Sequence, residues 1–351
     1  MYAGTRSNVV LMQDATVWTW GSNDSGQLGV DHIKEAFVPQ KVSGLEGIVQ
    51  VAIYNHAVAL DKHGDIWTWG ANTWGELGSG DIRLGYFSYV PQKVEGVGEI
   101  KSIDIGNGFT LAIGSDGALW AWGKNANGEL GLGTTEEQLV PTKVKGIGKV
   151  RYIAGGDGYT LAVKDDGSLW AWGKNNRGQL GNTTTVSSLY PVEINTLKNI
   201  KKISSGGSHS MALLKDGTVW TWGDNSSGQL GDGGLIFRNK PEKVEGLPVI
   251  VDIAADEGHS HALDENGEVW GWGGNIFGEL GIGNRDKSLR PKKIVGLRDV
   301  VQIHSGTSHC LALDRVGNVW SWGQNVYGQL GIKNIKSTSI PVKIDFPEKH
   351  F

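Results

Sequence analysis

Apolar and polar positions alternate along this chain in short runs, each closed by glycine, and the runs themselves recur. The plainest mark is the phrase Trp-x-Trp-Gly-x-Asn-x-x-Gly-(Gln/Glu)-Leu-Gly, which begins at Trp18, Trp67, Trp120, Trp170, Trp220, Trp270 and Trp320. Successive copies stand 49, 53, 50, 50, 50 and 50 residues apart. Trp-x-Trp alternation sets both indoles on one face of a strand. In the repeat around residue 160, four strands are expected: Pro141–Val144, Val150–Ile153, Thr160–Val163 and Ser168–Gly173. Asp166-Gly167 joins the last two with the signal of a type I′ hairpin. Glycine recurs there at 64, 117, 217, 267 and 317, whereas the first repeat has Asp14-Ala15-Thr16. Seven of the nine prolines share one phase (Pro39, Pro91, Pro141, Pro191, Pro241, Pro291 and Pro341), which marks an outer, edge-like strand because proline lacks a ladder donor.

A period near fifty indicates a solenoid, an array or a propeller. Solenoids end in polar caps, and here the first and last repeats keep the same tryptophan pairs as the middle ones. The expected fold is therefore all-β: a closed seven-bladed β-propeller of four antiparallel strands per blade. Residues 1–351 form one domain in this reading, closed by strands from both termini that share a blade. The start, Met1-Tyr2-Ala3-Gly4, reads as the end of a second strand. The chain stops after a first strand, Pro341–Ile344, and Phe351. Blades pack on two faces, so the repeat tryptophans are expected to form the structural core between them: Trp18, Trp20, Trp67, Trp69, Trp120, Trp122, Trp170, Trp172, Trp220, Trp222, Trp270, Trp272, Trp320 and Trp322.

Charge narrows the possible partners. A net charge of −4, 20% charged residues and a pI near 6.1 give no footprint for nucleic acid or an anionic membrane. No apolar run approaches a membrane span, and the start, MYAGTRSNVV, has no signal-peptide core. The single cysteine, Cys310, rules out an intramolecular disulfide and occupies the place of Ser210, Ser260 and Thr160. It reads as a small buried residue, and compartment is not indicated.

If the third and fourth strands form a hairpin, the loop before one and the loop after the other emerge at the same end. Loops on a rigid scaffold are the usual seat of binding. In the second loop the variable pairs include Thr73-Trp74, Asn176-Arg177, Ile276-Phe277 and Val326-Tyr327. Trp74, Arg177, Phe277 and Tyr327 are residue types that dominate interface hot spots. The first loop contributes Tyr54, Asn55, Asn107, Asp157 and Glu257. These nine residues are the expected protein-binding set, and self-association through the same face is the alternative.

Four histidines at one phase, His56, His209, His259 and His309, invite a metal. However, sheets packed about 10 Å apart keep the phase apart, whereas zinc needs nitrogens about 2 Å from one ion. Phe109 and Tyr159 at the same phase point to packing plus an internal hydrogen bond. The expectation is no metal, no cofactor and no catalytic set. His209-Ser210 and His259-Ser260 recur as architecture, Asp-Gly turns lack the run of a calcium loop, and the glycine phrases precede no helix that could cradle phosphate.

The WGxNxxGxLG phrase, with Gly206-Gly-Ser-His209-Ser-Met-Ala-Leu213 and Gly306-Thr-Ser-His309-Cys-Leu-Ala-Leu313 upstream, resembles the regulator of chromosome condensation repeat family. The resemblance runs over the whole chain and implies a seven-bladed propeller. Family members act as nucleotide-exchange factors for small GTPases, chromatin-docking proteins, ligase substrate modules, ultraviolet receptors and β-lactamase inhibitors. The loop face bearing Trp74, Phe277 and Tyr327 points first to a non-enzymatic protein-binding module. An exchange factor or chromatin-associated regulator of a small GTPase comes second, and an enzyme or inhibitor with a site at the propeller mouth third. The extra stretch here is about three residues, around Asp81–Tyr89, against the β-wedge of the exchange factor, and no basic arm precedes the repeats. Where the ultraviolet receptor has loop tryptophans, this chain has Asn55, Gly108, Gly158, Ser208, Gly258 and Ser308.

Overall fold

The computed structural model describes residues 1–82 and 87–347. Among them every regular element is a β-strand, and the strands form seven antiparallel sheets of four. Blade 4 shows the plan, with Val150–Gly155 innermost, then Tyr159–Lys164, Leu169–Gly173 and, outermost, Ser188–Ile194. Blade 1 is Tyr2–Ala3, Ser7–Leu11, Val17–Ser22 and Glu35–Lys41. The remaining blades fall within residues 48–93, 100–143, 200–243, 250–293 and 300–343. Innermost strands pack side by side around the ring, and Tyr2–Ala3 packs on Val300–Gly306 to close it. Residues 83–86 of the Asp81–Tyr89 stretch, and Phe351, lie outside the described residues.

The phase of the blades differs from the expected one. The proline strand pairs with the tryptophan strand before it, as in Trp120 opposite Lys143, so each blade is one contiguous segment. Blades 1 and 7, built from the two ends of the chain, therefore meet face to face, and the terminal strands do not share a sheet. The cause lies in the connection after Trp-Gly. The buried asparagine of the repeat folds that loop back on itself. Asn125 Oδ1 accepts from Leu130 N–H at 3.0 Å, while its Nδ2 donates to the Thr134 and Glu136 carbonyls. The outer strand thus returns to the strand it has just left. Proline sits inside this strand at a bulge, not at its start: the register jumps from Thr142 opposite Ala121 to Gln138 opposite Gly123, across Pro141.

The turns differ too. A type I′ turn needs two positive φ angles, but in residues 165–167 only Gly167 has one, at 82°. Gly167 N–H donates to Lys164 O and Lys164 N–H to Ser168 O. This is a type I turn closed by a left-handed glycine. Asp166 tightens it, its carboxylate accepting from the Ser168 N–H and hydroxyl.

The two tryptophans of each pair do different work. The second is sealed between blades, at 0–1% exposure in all seven. Its indole N–H donates to the backbone carbonyl of the Gln or Glu in the preceding blade's loop. Trp172 reaches Glu129 O at 2.8 Å, and Trp20 reaches Gln329 O at 3.0 Å across the closing seam. The first is only partly covered except for Trp18 and clips its own hairpin, as when Trp320 Nε1 donates to Asp314. Apolar clusters accordingly span neighbouring blades; Leu111, Leu119 and Leu130 of blade 3 enclose Trp172 of blade 4.

Candidate functional site

In every blade the residue after Trp-x-Trp-Gly donates its backbone N–H to the carbonyl just before the repeat's His, Tyr or Phe phase. Examples are Ala71 to Asn55, Lys124 to Gly108 and Gln324 to Ser308, at 2.8–3.0 Å. The two loops of each blade are therefore tied side by side and open on one face of the ring.

The structure separates the two variable positions of the second loop. The first stands out from the face: Ile276 is 74% exposed and Val326 55%. The second lies over the first loop of the next blade. Tyr327 is half-buried beneath the Arg6 guanidinium, 4.5 Å from the ring centroid. Trp74, 38% exposed, covers Gly108, where a Cβ would come within 3.1 Å of its ring. Phe277 is half-buried. Arg177 is exposed and its guanidinium lies 3.7 Å from Asp224. The nine expected residues thus do not form one cluster. Trp74, Phe277 and Tyr327 are on blades 2, 6 and 7, and part of the Trp74 and Tyr327 rings serves contact between blades.

Tyr54, Asp157 and Glu257 turn toward the axis. Asn107 donates to Asp157 at 2.9 Å, and Lys174 pairs with the same carboxylate at 3.0 Å. Burial raises the Asp157 pKa, but these two partners outweigh it and hold it below the ordinary value. Burial, then repulsion from Asp157, raises that of Glu257. Burial also lifts Asp256 well above its usual range and raises Tyr54. Asn55 stays half-buried beside them, its carbonyl engaged by Ala71.

Below this acidic mouth an axial cavity of about 360 Å³ is lined by residues of all seven blades. Of its polar lining, Tyr54 and Asp157 belong to the expected set, whereas Tyr2, Asp104, Lys202 and His304 do not. Asp104 accepts from Tyr2 Oη at 3.1 Å and Gly155 N–H at 2.9 Å, and burial raises its pKa to about 6. Lys202 pairs with Asp252, and Tyr2 stacks on His304 with ring centroids 3.8 Å apart. One signal was available: Asp256 stands where five other blades have glycine, at 4, 106, 156, 206 and 306. A second group also went unnoticed. Leu235, Ile236 and Phe237, three large apolar residues in succession, are 45%, 78% and 41% exposed in the loop that opens on the same face.

The histidine phase is built as packing with a bond between blades. His56 Nε2 lies 2.9 Å from Thr110 Oγ1, His209 Nε2 2.9 Å from Ser260 Oγ and His309 Nε2 2.7 Å from Asn8 Oδ1. Tyr159 substitutes by donating to His209 O at 2.5 Å.

A ring of seven such blades with paired loops on one face defines a propeller of the regulator-of-chromosome-condensation type. Residues 145–351 match the RCC1-like domain, and residues 14–60, 63–113 and 116–163 match the regulator of chromosome condensation (RCC1) repeat. The chain belongs to this family. It is 33% identical over 141 residues to the ultraviolet-B receptor UVR8 of Arabidopsis thaliana, a match spanning 39% of this chain and 32% of that protein. Prp20p from Saccharomyces cerevisiae, described with its binding to Gsp1p and histones, superposes with a TM-score of 0.84 at 26% identity, covering 99% of this chain and 88% of that one. Human WBSCR16 superposes with a TM-score of 0.87 at 22% identity over 95% of each chain, a likeness of fold.

Proposed function

We propose that this protein is a non-enzymatic protein-binding module whose partner docks on the face formed by the paired loops. The observation that carries this reading is that large apolar side chains stand free on loops stapled to a rigid ring, Ile236 at 78%, Ile276 at 74% and Val326 at 55% exposure, with Trp74 partly exposed on the same face. Exposed apolar groups on a fixed scaffold are the raw material of interface hot spots. The polar groups of the channel, by contrast, are bonded largely to one another, as in Tyr2 with Asp104 and Lys202 with Asp252.

Prp20p offers the second reading, a regulator of a small GTPase, because its likeness runs over nearly the whole chain. One capture experiment in extract of the source organism separates the two. The triple variant Ile236→Ser, Ile276→Ser, Val326→Ser is expected to lose the partner at least 10-fold while keeping its unfolding midpoint, since exposed substitutions usually change stability by no more than about 0.5 kcal/mol. Equal retention of the same partner by both forms removes the face assignment. Release of the partner by added GTP or GDP selects the GTPase reading, and indifference to nucleotide selects the plain module.

A further inference from the structure

At the interface of blades 6 and 7 the repeat departs from itself three times. His261 stands where the other blades have Val9, Val58, Leu111, Leu161, Met211 and Leu311. Cys310 stands where they have small or amide residues, among them Thr160, Ser210 and Ser260. Gly271 replaces the threonine, alanine or serine between the paired tryptophans, and a Cβ there would come within 3.0 Å of His261 Nε2. The glycine makes room for the histidine, and the histidine meets the cysteine.

Cys310 Sγ lies 3.5 Å from His259 Nε2 and 3.6 Å from His261 Nδ1, and the three ligand atoms all fall within 4.8 Å of one another. Bonds of about 2.3 Å to sulfur and 2.0–2.1 Å to nitrogen at a tetrahedral ion give an S···N separation of about 3.6 Å. Ser305 Oγ completes the group, 3.0 Å from His261 Nδ1 and 3.9 Å from the sulfur. All four side chains are 1% exposed. We propose that His259 Nε2, His261 Nδ1 and Cys310 Sγ bind one zinc ion between blades 6 and 7, with Ser305 Oγ or a water at the fourth position. This set is distinct from the histidine phase weighed in the sequence, because only His259 belongs to that phase and its metal partners do not.

Soft thiolate with two neutral imidazoles is zinc chemistry. Burial keeps both imidazoles neutral and so able to donate. It also holds Cys310 as the thiol, so zinc binding forms the Zn–S bond and releases the thiol proton to solvent.

The ion must enter as the blades assemble, so the test is refolding. Protein unfolded under reducing conditions is refolded with zinc chloride, freed of loose metal and assayed for bound zinc. The control is His261→Leu, Gly271→Ala, Cys310→Ser, which gives this interface the residue types already present as Leu161, Ala171 and Ser210. Cys310→Ser alone is the second variant. Native protein is expected to hold about one zinc per chain, both variants less than a tenth of that, and only native protein to gain in unfolding midpoint with zinc. Cobalt in place of zinc should give native protein a thiolate charge-transfer absorption. Folded native protein with no more zinc than the triple variant, or with no such absorption, overturns the proposal.

Discussion

Ala15 occupies the one described hairpin turn in which the left-handed residue is not glycine. Its φ is 65°, where the glycines at 64, 117, 167, 217, 267 and 317 have 77–89°. An L-residue there is strained by about 1–2 kcal/mol, and Asp14 helps to hold the turn by accepting from the Thr16 N–H and hydroxyl. Ala15→Gly should therefore stabilise the protein by about 0.5–1 kcal/mol net of the added freedom of the unfolded chain; urea unfolding of the two forms measures it. The departure of this turn from Asp-Gly was legible in the sequence. The turn type was not, because an Asp-Gly pair fits both a two-residue and a three-residue loop, and only the backbone hydrogen bonds distinguish them. The same limit applied at Trp74 and Tyr327: their identity marked them as binding residues, while the loop each packs on belongs to the next blade, at Gly108 for Trp74 and across the seam at Arg6 for Tyr327.

Among the elements, the second strands of blades 2, 5, 6 and 7 carry the histidine contact whose chemistry depends on pH. His209 is fully buried and bridges blade 5 to Ser260 of blade 6. Burial lowers its pKa to about 4, and that of His56 to about 3, from an ordinary 6.5. Below pH 6.5 the unfolded chain takes up a proton at each that the folded chain refuses, so stability falls as pH drops from about 6.5 toward those folded values. His209→Phe, the residue type that blade 3 carries as Phe109, should flatten this dependence. The expected change is up to about 1.4 kcal/mol per pH unit between pH 6 and 5, read from urea midpoints of both proteins. An unchanged slope would show that the imidazole is already charged in the folded state. Strand positions and their proline phase were readable from periodicity. Which neighbour the proline strand pairs with was not, because the fold-back that decides it depends on the buried amide of Asn125 and its counterparts.

At the scale of the molecule, the repeat gave the number of blades, and the second tryptophans make the interfaces nearly identical in kind. The axial group of Tyr2, Asp104, Lys202, Asp252 and His304 stayed hidden, because residues 2 to 304 in sequence become neighbours only when the ring shuts. The blade 6–7 cluster was hidden for a related reason: His261 and Cys310 each depart from the repeat, but the departures acquire meaning only opposite each other.

The closing seam has a consequence for motion. An open stack of repeats has two loose ends, and its terminal units peel away at little cost. Here Trp20 bonds Gln329, and Asn8 bonds both His309 and the Gln329 carbonyl, as firmly as any interior pair. Detaching blade 1 therefore breaks two interfaces, as does detaching blade 4. Amide exchange should find no soft end: the inner strands of blades 1 and 7 are expected to exchange as slowly as those of blade 4, and faster exchange confined to blades 1 and 7 would mean that the seam opens by itself. A protein built this way can present a broad face without bending, so a partner meets a surface already set, and little of the binding free energy is lost in ordering it.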